Sequence, residues 1–206
     1  MTASTLIGLK FLGKKAHAAT PELGVDAIAM AVEAYGALKQ MIAEEAGDRM
    51  YILGINCFRG GSVPNMVADQ CEMTIAFRYY DNALYESFRK RCGETCEQIA
   101  VKYGGSVEQS WHTSAPPVYN TPDMVTKFFA STEAALPGVA KVLPPSRLSE
   151  DFSWFLNEKP GFMFRFGTRN EETGCTAALH SPDFKMDEQG MEAAVEAFVA
   201  FVMREE

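Results

Sequence analysis

Gln70-Cys71-Glu72-Met73-Thr74-Ile75-Ala76-Phe77-Arg78-Tyr79 carries a large apolar side chain or a thiol at every second position. Side chains of a strand point to opposite faces in turn, so Cys71, Met73, Ile75, Phe77 and Tyr79 define a buried face. Arg78 falls on the other face. Upstream, Met50 to Phe58 reads as a strand closed by Arg59-Gly60-Gly61, and the turn Ser62-Val63-Pro64-Asn65 joins the two. Before that, a helix from about Val25 carries Ile28, Val32 (with Ala31), Tyr35, Leu38 and Ile42 at three- and four-residue spacing, one apolar stripe ended by Gly47-Asp48. Leu6 to Leu12, bounded by Gly13, is a short apolar strand.

Downstream, a helix from about Ala83 to Tyr103 turns Leu84, Phe88, Cys92, Thr95 (or Cys96) and Ile99 inward and stops at Gly104-Gly105. Val107 to Trp111 is a fourth strand. The order over residues 5–115 is strand, helix, strand, strand, helix, strand. That is the α+β split β-α-β (ferredoxin-like) arrangement, a four-stranded antiparallel sheet with both helices on one face. The other face stays free to cover something.

Ala115-Pro116-Pro117-Val118 breaks the pattern, so a second part is expected over 116–206. Thr121-Pro122-Asp123 opens a helix running to about Leu136, with an N-cap and a proline in the first turn. Ser149-Glu150-Asp151-Phe152 begins a short helix, and Phe162 to Phe166 reads as a strand. A last helix spans roughly Asp187 to Met203, with Met191, Val195, Phe198 and Val202 on one side. A lone strand makes no sheet. The apolar faces of this mostly helical part are therefore expected to pack, at least in part, on something this chain does not contain. The apolar strand that begins five residues after Met1 fits a chain cut at a domain boundary.

The 206 residues are 47% apolar, enough to bury a core, and carry a formal net charge of −8. That acidity argues against nucleic acid and anionic membrane as partners. No apolar run approaches the ~20 residues of a spanning helix. With no signal-peptide pattern at the N-terminus, a cytoplasmic address is expected. Cys57, Cys71, Cys92, Cys96 and Cys175 form no C-x-x-C pair and read as reduced thiols.

Three histidines are present, and His17 has the most telling neighbours: Gly13-Lys14-Lys15-Ala16-His17-Ala18-Ala19-Thr20-Pro21 places it at a strand-to-helix corner among small residues. Read alone, it is a surface residue, Asn65 a turn former, Arg78 a solvated or Glu72-paired side chain and His180 a loop residue. Lys14-Lys15 is exposed charge, and His112 beside Trp111 is structural. Taken together, a histidine, an amide and a guanidinium suit an anionic substrate, because arginine binds carboxylate bidentately and imidazole can donate to a developing oxyanion.

Gly13-x-x-Ala16-His17-Ala18-x-x-Pro21 with Asp26-Ala27-Ile28 resembles the lid-domain motif of the aminoacylase, hippurate hydrolase and carboxypeptidase family of dinuclear-metal amidohydrolases. Gly60-Gly61-x-x-Pro64-Asn65-x-Val67-x-Asp69, followed by Phe77-Arg78, is similar to that family's next motif. Ser149-Glu150-Asp151-Phe152, Pro160-Gly161 and Leu179-His180-Ser181-Pro182 look like the closing segments of its catalytic domain. The resemblance runs along essentially the whole chain, nearest the branch acting on N-acyl amino acids.

The resemblance implies a lid and dimerisation domain over 5–115 and the C-terminal part of a metal-binding catalytic domain over 116–206. His17 would stabilise the oxyanion across a homodimer, Asn65 and Arg78 would hold the substrate carboxylate, and His180 would ligate metal. Two divalent ions (zinc, or manganese or cobalt) are expected in the complete enzyme. The substrate would be an N-acyl amino acid or small peptide. Glu150 and Asp151 read as charges favoured by a helix N-terminus, not as ligands. The family's earlier ligands, a histidine-x-aspartate or cysteine-x-histidine pair, a bridging acid and a Glu-Glu pair with the general base, have no match here. The chain alone is therefore expected to be inactive. The alternative is a non-catalytic dimerisation or binding module of the same fold.

Overall fold

The structure, a computed structural model, describes residues 1–203, so the last three residues of the expected second part lie outside the described ones. It divides into two units, Met1–Val118 with Ser146–Trp154, and Tyr119–Pro145 with the chain from Phe155 onward.

In the first unit the strands are β1 (Ser4–Leu12), β2 (Tyr51–Gly60), β3 (Gln70–Tyr79) and β4 (Ser106–Ala115), and the helices α1 (Ala27–Ala46) and α2 (Asn82–Tyr103). The sheet order is β2-β3-β1-β4, antiparallel throughout. This is the split β-α-β sheet expected from periodicity. α1 packs on β1, β2 and β3, and α2 on β3 and β4. Both helices start at aspartate caps: Asp26 accepts from the N–H groups of Ile28 and Ala29, and Asp81 from those of Ala83 and Leu84. α2 ends at Gly104, whose φ of 79° suits glycine, and the Gly104 N–H closes back on Ala100 and Val101.

The alternation that opened the reading holds residue by residue. Cys71, Met73, Ile75, Phe77 and Tyr79 are all buried, with Ile7, Leu9 and Phe11 of β1 beside them. Leu84, Phe88, Cys92, Cys96 and Ile99 of α2 close over them. Phe77 sits 4.8 Å from the Phe88 ring centroid, and Tyr79 stacks on Tyr85 at 4.7 Å. Phe77→Ala is expected to cost about 3–5 kcal/mol, because truncation leaves a cavity that neighbouring rings only partly fill. A urea unfolding curve checks it.

α1 departs from expectation. Its buried side is Ala27, Met30, Ala31, Ala34, Leu38, Met41, Ile42 and Ala46. Val32 is 58% exposed and Tyr35 43%. Ala31, Leu38 and Ile42 of the expected stripe are buried, but Val32 and Tyr35 lie to one side of it, where buried alanines, weak in a hydrophobicity count, take their place. β4 is longer than expected at both ends; its serines and threonines carry no apolar signal at those positions.

The segment Ser146–Trp154, expected in the second part, belongs to the first unit. Thr2 is fully buried; its N–H donates to the Leu148 carbonyl at 2.9 Å and its hydroxyl to the Arg147 carbonyl at 2.9 Å. The Tyr80 hydroxyl donates to the Ser146 carbonyl at 2.8 Å. Polar bonds to main-chain carbonyls hold this stretch, and they leave no hydrophobic period to read.

In the second unit α3 (Pro122–Ala135) pairs with α5 (Glu188–Val202); α4 (Ser153–Glu158) spans the point of division. Phe128, Ala197 and Phe201 form a small core with Phe162 and Phe164. Thr121 precedes α3, but its hydroxyl accepts from the Gly161 N–H instead of capping the helix. The expected strand Phe162 to Phe166 has no ladder partner among the described residues. Instead Met163 exchanges both main-chain bonds with the Asn120 side chain. On α5, Met191, Val195, Phe198 and Val202 are exposed, an apolar face left open within the described residues.

Candidate active site

Past Leu12 the chain leaves β1 but keeps pairing with the residues that lead into β3. Gly13 N–H donates to the Asp69 carbonyl at 2.8 Å, Val67 N–H to Ala16 at 2.9 Å, and Ala18 N–H to Asn65 at 2.9 Å. His17 and Met66 form an isolated bridge. Gly13 permits the close approach of Val25, whose carbonyl oxygen accepts from Lys14 N–H at 2.9 Å and would lie 2.0 Å from a Cβ at position 13. The backbone thus brings His17 and Asn65, 48 positions apart, onto one corner, where both are exposed. Lys15 is paired with Asp69 at 3.4 Å.

The His17 ring is oriented by its own turn. Ala19 N–H donates to Nδ1 at 3.1 Å, and Thr20 N–H donates to the His17 carbonyl at 2.9 Å. An accepting Nδ1 carries no proton, so the ring hydrogen resides on Nε2. The corner therefore presents an N–H donor. Sequence reading named the histidine but not Ala19, whose role is carried by its backbone.

Arg78 is half-buried on the helix-free face of β3, beside Ile52 of β2, and its guanidinium donates to Ser149 Oγ at 3.2 Å. Glu72, considered above as its partner, instead lies 3.9 Å from Lys10. Ser149 was part of a quoted motif, but its link to Arg78 was not legible. Gln70 to Arg78 is eight residues of extended chain, about 26 Å at ~3.3 Å per residue. His17 and Asn65 lie beyond the Gln70 end. Within one protomer the structure unites His17 with Asn65 and keeps Arg78 at the far end of the strand.

His180 belongs to the second unit and is exposed in a turn, where Ser181 N–H donates to the Ala178 carbonyl at 3.1 Å. Its φ of 66° is the one positive value at a non-glycine among the described residues. Such a conformation costs energy and is often kept where a side chain must be aimed. No group of three or more histidine, cysteine, aspartate or glutamate side chains among the described residues can hold a metal ion. The donor set does not fit a dinuclear centre. Burial and a hydrogen bond do not make a nucleophile of the α2 thiols either: the contact with the Cys96 sulfur, then burial, drives Cys92 far above the usual thiol range.

Residues 5–104 match the profile of a peptidase dimerisation domain, that of the M20 peptidases. These residues belong to the M20 dimerisation-domain family. The match spans β1 to the end of α2. An N-acetyldiaminopimelate deacetylase of Pediococcus pentosaceus is 27% identical over 203 residues, 97% of this chain and 51% of that protein. The fold is shared with an aminohydrolase structure from methicillin-resistant Staphylococcus aureus (TM-score 0.85, 24% identity, 98% of this chain and 52% of that one). It is shared too with a dinuclear metal-binding M20 peptidase of Bacillus subtilis (TM-score 0.75, 22% identity, 98% and 50%). The chain spans about half the length of the curated relatives it matches. The family read from the motifs is therefore the family found, with amidohydrolases and peptidases as relatives along the dimerisation domain and beyond it. Among the described residues no helix is long and apolar enough to cross a membrane.

Proposed function

We propose that this chain supplies the dimerisation domain and the closing part of the catalytic domain of a metal-dependent amidohydrolase that cleaves N-acyl amino acids or small peptides. The observation that carries the reading is the His17 corner: an exposed imidazole whose Nδ1 is occupied by Ala19 N–H, leaving Nε2–H to donate outward beside Asn65. Such a donor acts on a carbonyl oxygen as negative charge develops there. Asn65 adds a directional amide donor, and Arg78 grips the substrate carboxylate, exchanging its Ser149 contact for a stronger charged pair.

The separation along β3 divides these roles between two copies. A small substrate cannot touch both ends of a strand about 26 Å long. In a homodimer, His17 and Asn65 of one copy serve the site that holds Arg78 of the other.

The two divalent ions, zinc or manganese or cobalt, belong to the complete enzyme, to which this chain contributes His180. The open apolar face of α5 supports a catalytic half completed by residues this chain lacks. On this reading the chain alone is inactive. Five free cysteines fit the cytoplasmic address.

The test is made on the complete enzyme with a hippurate-like amide. Arg78→Ala is expected to raise KM about ten- to a hundredfold for carboxylate-bearing substrates, the loss of one charged hydrogen-bonding partner. An equivalent amide without the carboxylate should show little change. An unchanged KM for both removes Arg78 from the site. A complete protein that binds no metal and cleaves no amide leaves the non-catalytic module as the reading.

A further inference from the structure

Arg78 does not stand alone on its face of the sheet. Strand pairing sets Ile52 of β2 directly opposite it, and Leu6 of β1 opposite Ala76, two residues along β3. Leu6 is thus a diagonal neighbour of Arg78, at the ~7–8 Å that long side chains span. It points away from the core that Ile7 and Leu9 enter, and is 49% exposed. At the same end of the sheet lies Leu148, 54% exposed. The bond from Thr2 N–H to its carbonyl holds it there, and the next residue, Ser149, is the partner of Arg78.

The far part of that face is built differently. Arg59, Glu72, Lys10 and Glu108 stand side by side across the four strands, alternating in sign, as a sheet face does in water. Between the two parts Thr74, Gly8 and Ser110 are small. One exposed leucine is ordinary on a protein surface. Two leucines and an isoleucine gathered about one guanidinium, on a face otherwise charged or small, call for an occupant. Among the described residues that guanidinium meets the Ser149 hydroxyl and no carboxylate. This end of the sheet therefore offers a place for an anion and, beside it, a place for an apolar group.

In an N-acyl amino acid the carboxylate and the side chain leave the same carbon. A carboxylate held by Arg78 brings that side chain among the residues around the guanidinium, while the acyl group lies beyond the scissile amide. We infer that Leu6, Ile52 and Leu148 form the subsite for the side chain of the substrate's amino acid, and that this side chain is apolar. An acidic or basic side chain would lose its water against three aliphatic groups. The inference rests on the amidohydrolase reading above and adds the kind of amino acid released.

The experiment measures kcat/KM of the complete enzyme for N-acetyl-leucine, N-acetyl-aspartate and Nα-acetyl-lysine. The parent is compared with Leu6→Lys, Leu148→Lys and Ser106→Lys. Ser106, exposed at the far end of β4, is the matched control. All three positions face water, so circular dichroism should report folded protein throughout. The expected result is a parent that favours the leucine substrate over both charged ones by about tenfold or more. Leu6→Lys and Leu148→Lys should each lower the leucine-to-aspartate ratio at least fivefold, and Ser106→Lys should leave it unchanged. A parent that treats the three substrates alike, or favours a charged one, overturns the inference. So does a ratio that neither leucine substitution moves, or one that Ser106→Lys moves as far. A complete protein that cleaves none of the three overturns the amidohydrolase reading itself, and the inference falls with it.

Discussion

His17→Ala in the complete enzyme is expected to lower kcat by about a hundred- to a thousandfold, the usual loss when one oxyanion donor is removed. KM and bound metal should change little. The side chain is exposed and its ring accepts one bond, from Ala19 N–H, so no packing is lost with it. Thermal unfolding should be unmoved. The readout that separates a donor from a structural residue is the split between kcat and KM, measured with metal content on the same sample. A matched fall in metal and turnover would assign His17 to the metal site, and an unchanged kcat would remove it from the reaction. His17→Gln offers a conservative check, since its amide can still donate and should recover part of the rate.

Mixing the two impaired variants, at substrate well below the KM of Arg78→Ala, is expected to restore activity. His17→Ala and Arg78→Ala homodimers each lack one essential partner at both sites. In a one-to-one mixture with free exchange of subunits, half of the dimers are hybrids. In each hybrid one site takes Arg78 from one copy and His17 from the other, both intact, while its second site lacks both. About a quarter of parental turnover should return, as two-fold symmetry dictates. Kinetics before and after exchange measure it. No recovery would mean that both residues act within one copy, against the length of β3 between them.

Much of the fold was legible because its causes are local. Alternation in Gln70–Tyr79 and the inward series Leu84, Phe88, Cys92, Cys96, Ile99 each follow from backbone geometry acting on neighbouring residues. The reading slipped where partners are remote or weakly apolar. Val32 and Tyr35 were counted inward because their spacing is that of a core stripe, and only the alanine-lined contact of α1 with the sheet shows otherwise. Phe162 to Phe166 has strand composition, yet the Asn120 side chain takes the bonds that a ladder would have made.

The candidate site divides along the same line. Residue types and motif order identified His17, Asn65, Arg78 and His180 as the groups to watch. Nothing in that order said that Ala18 binds Asn65 through the backbone, that Ala19 sets the imidazole proton on Nε2, or that Ser149, 71 positions along the chain, meets Arg78.

By itself the amino-acid sequence determined the kind of sheet, the face of each strand and the family, since these depend on side-chain periodicity and short motifs. Tertiary structure alone decided which of those residues share a corner and which lie a strand's length apart. Distance in space is set by how long-range backbone pairing folds the chain back, and that pairing leaves no trace in the spacing of residues along it.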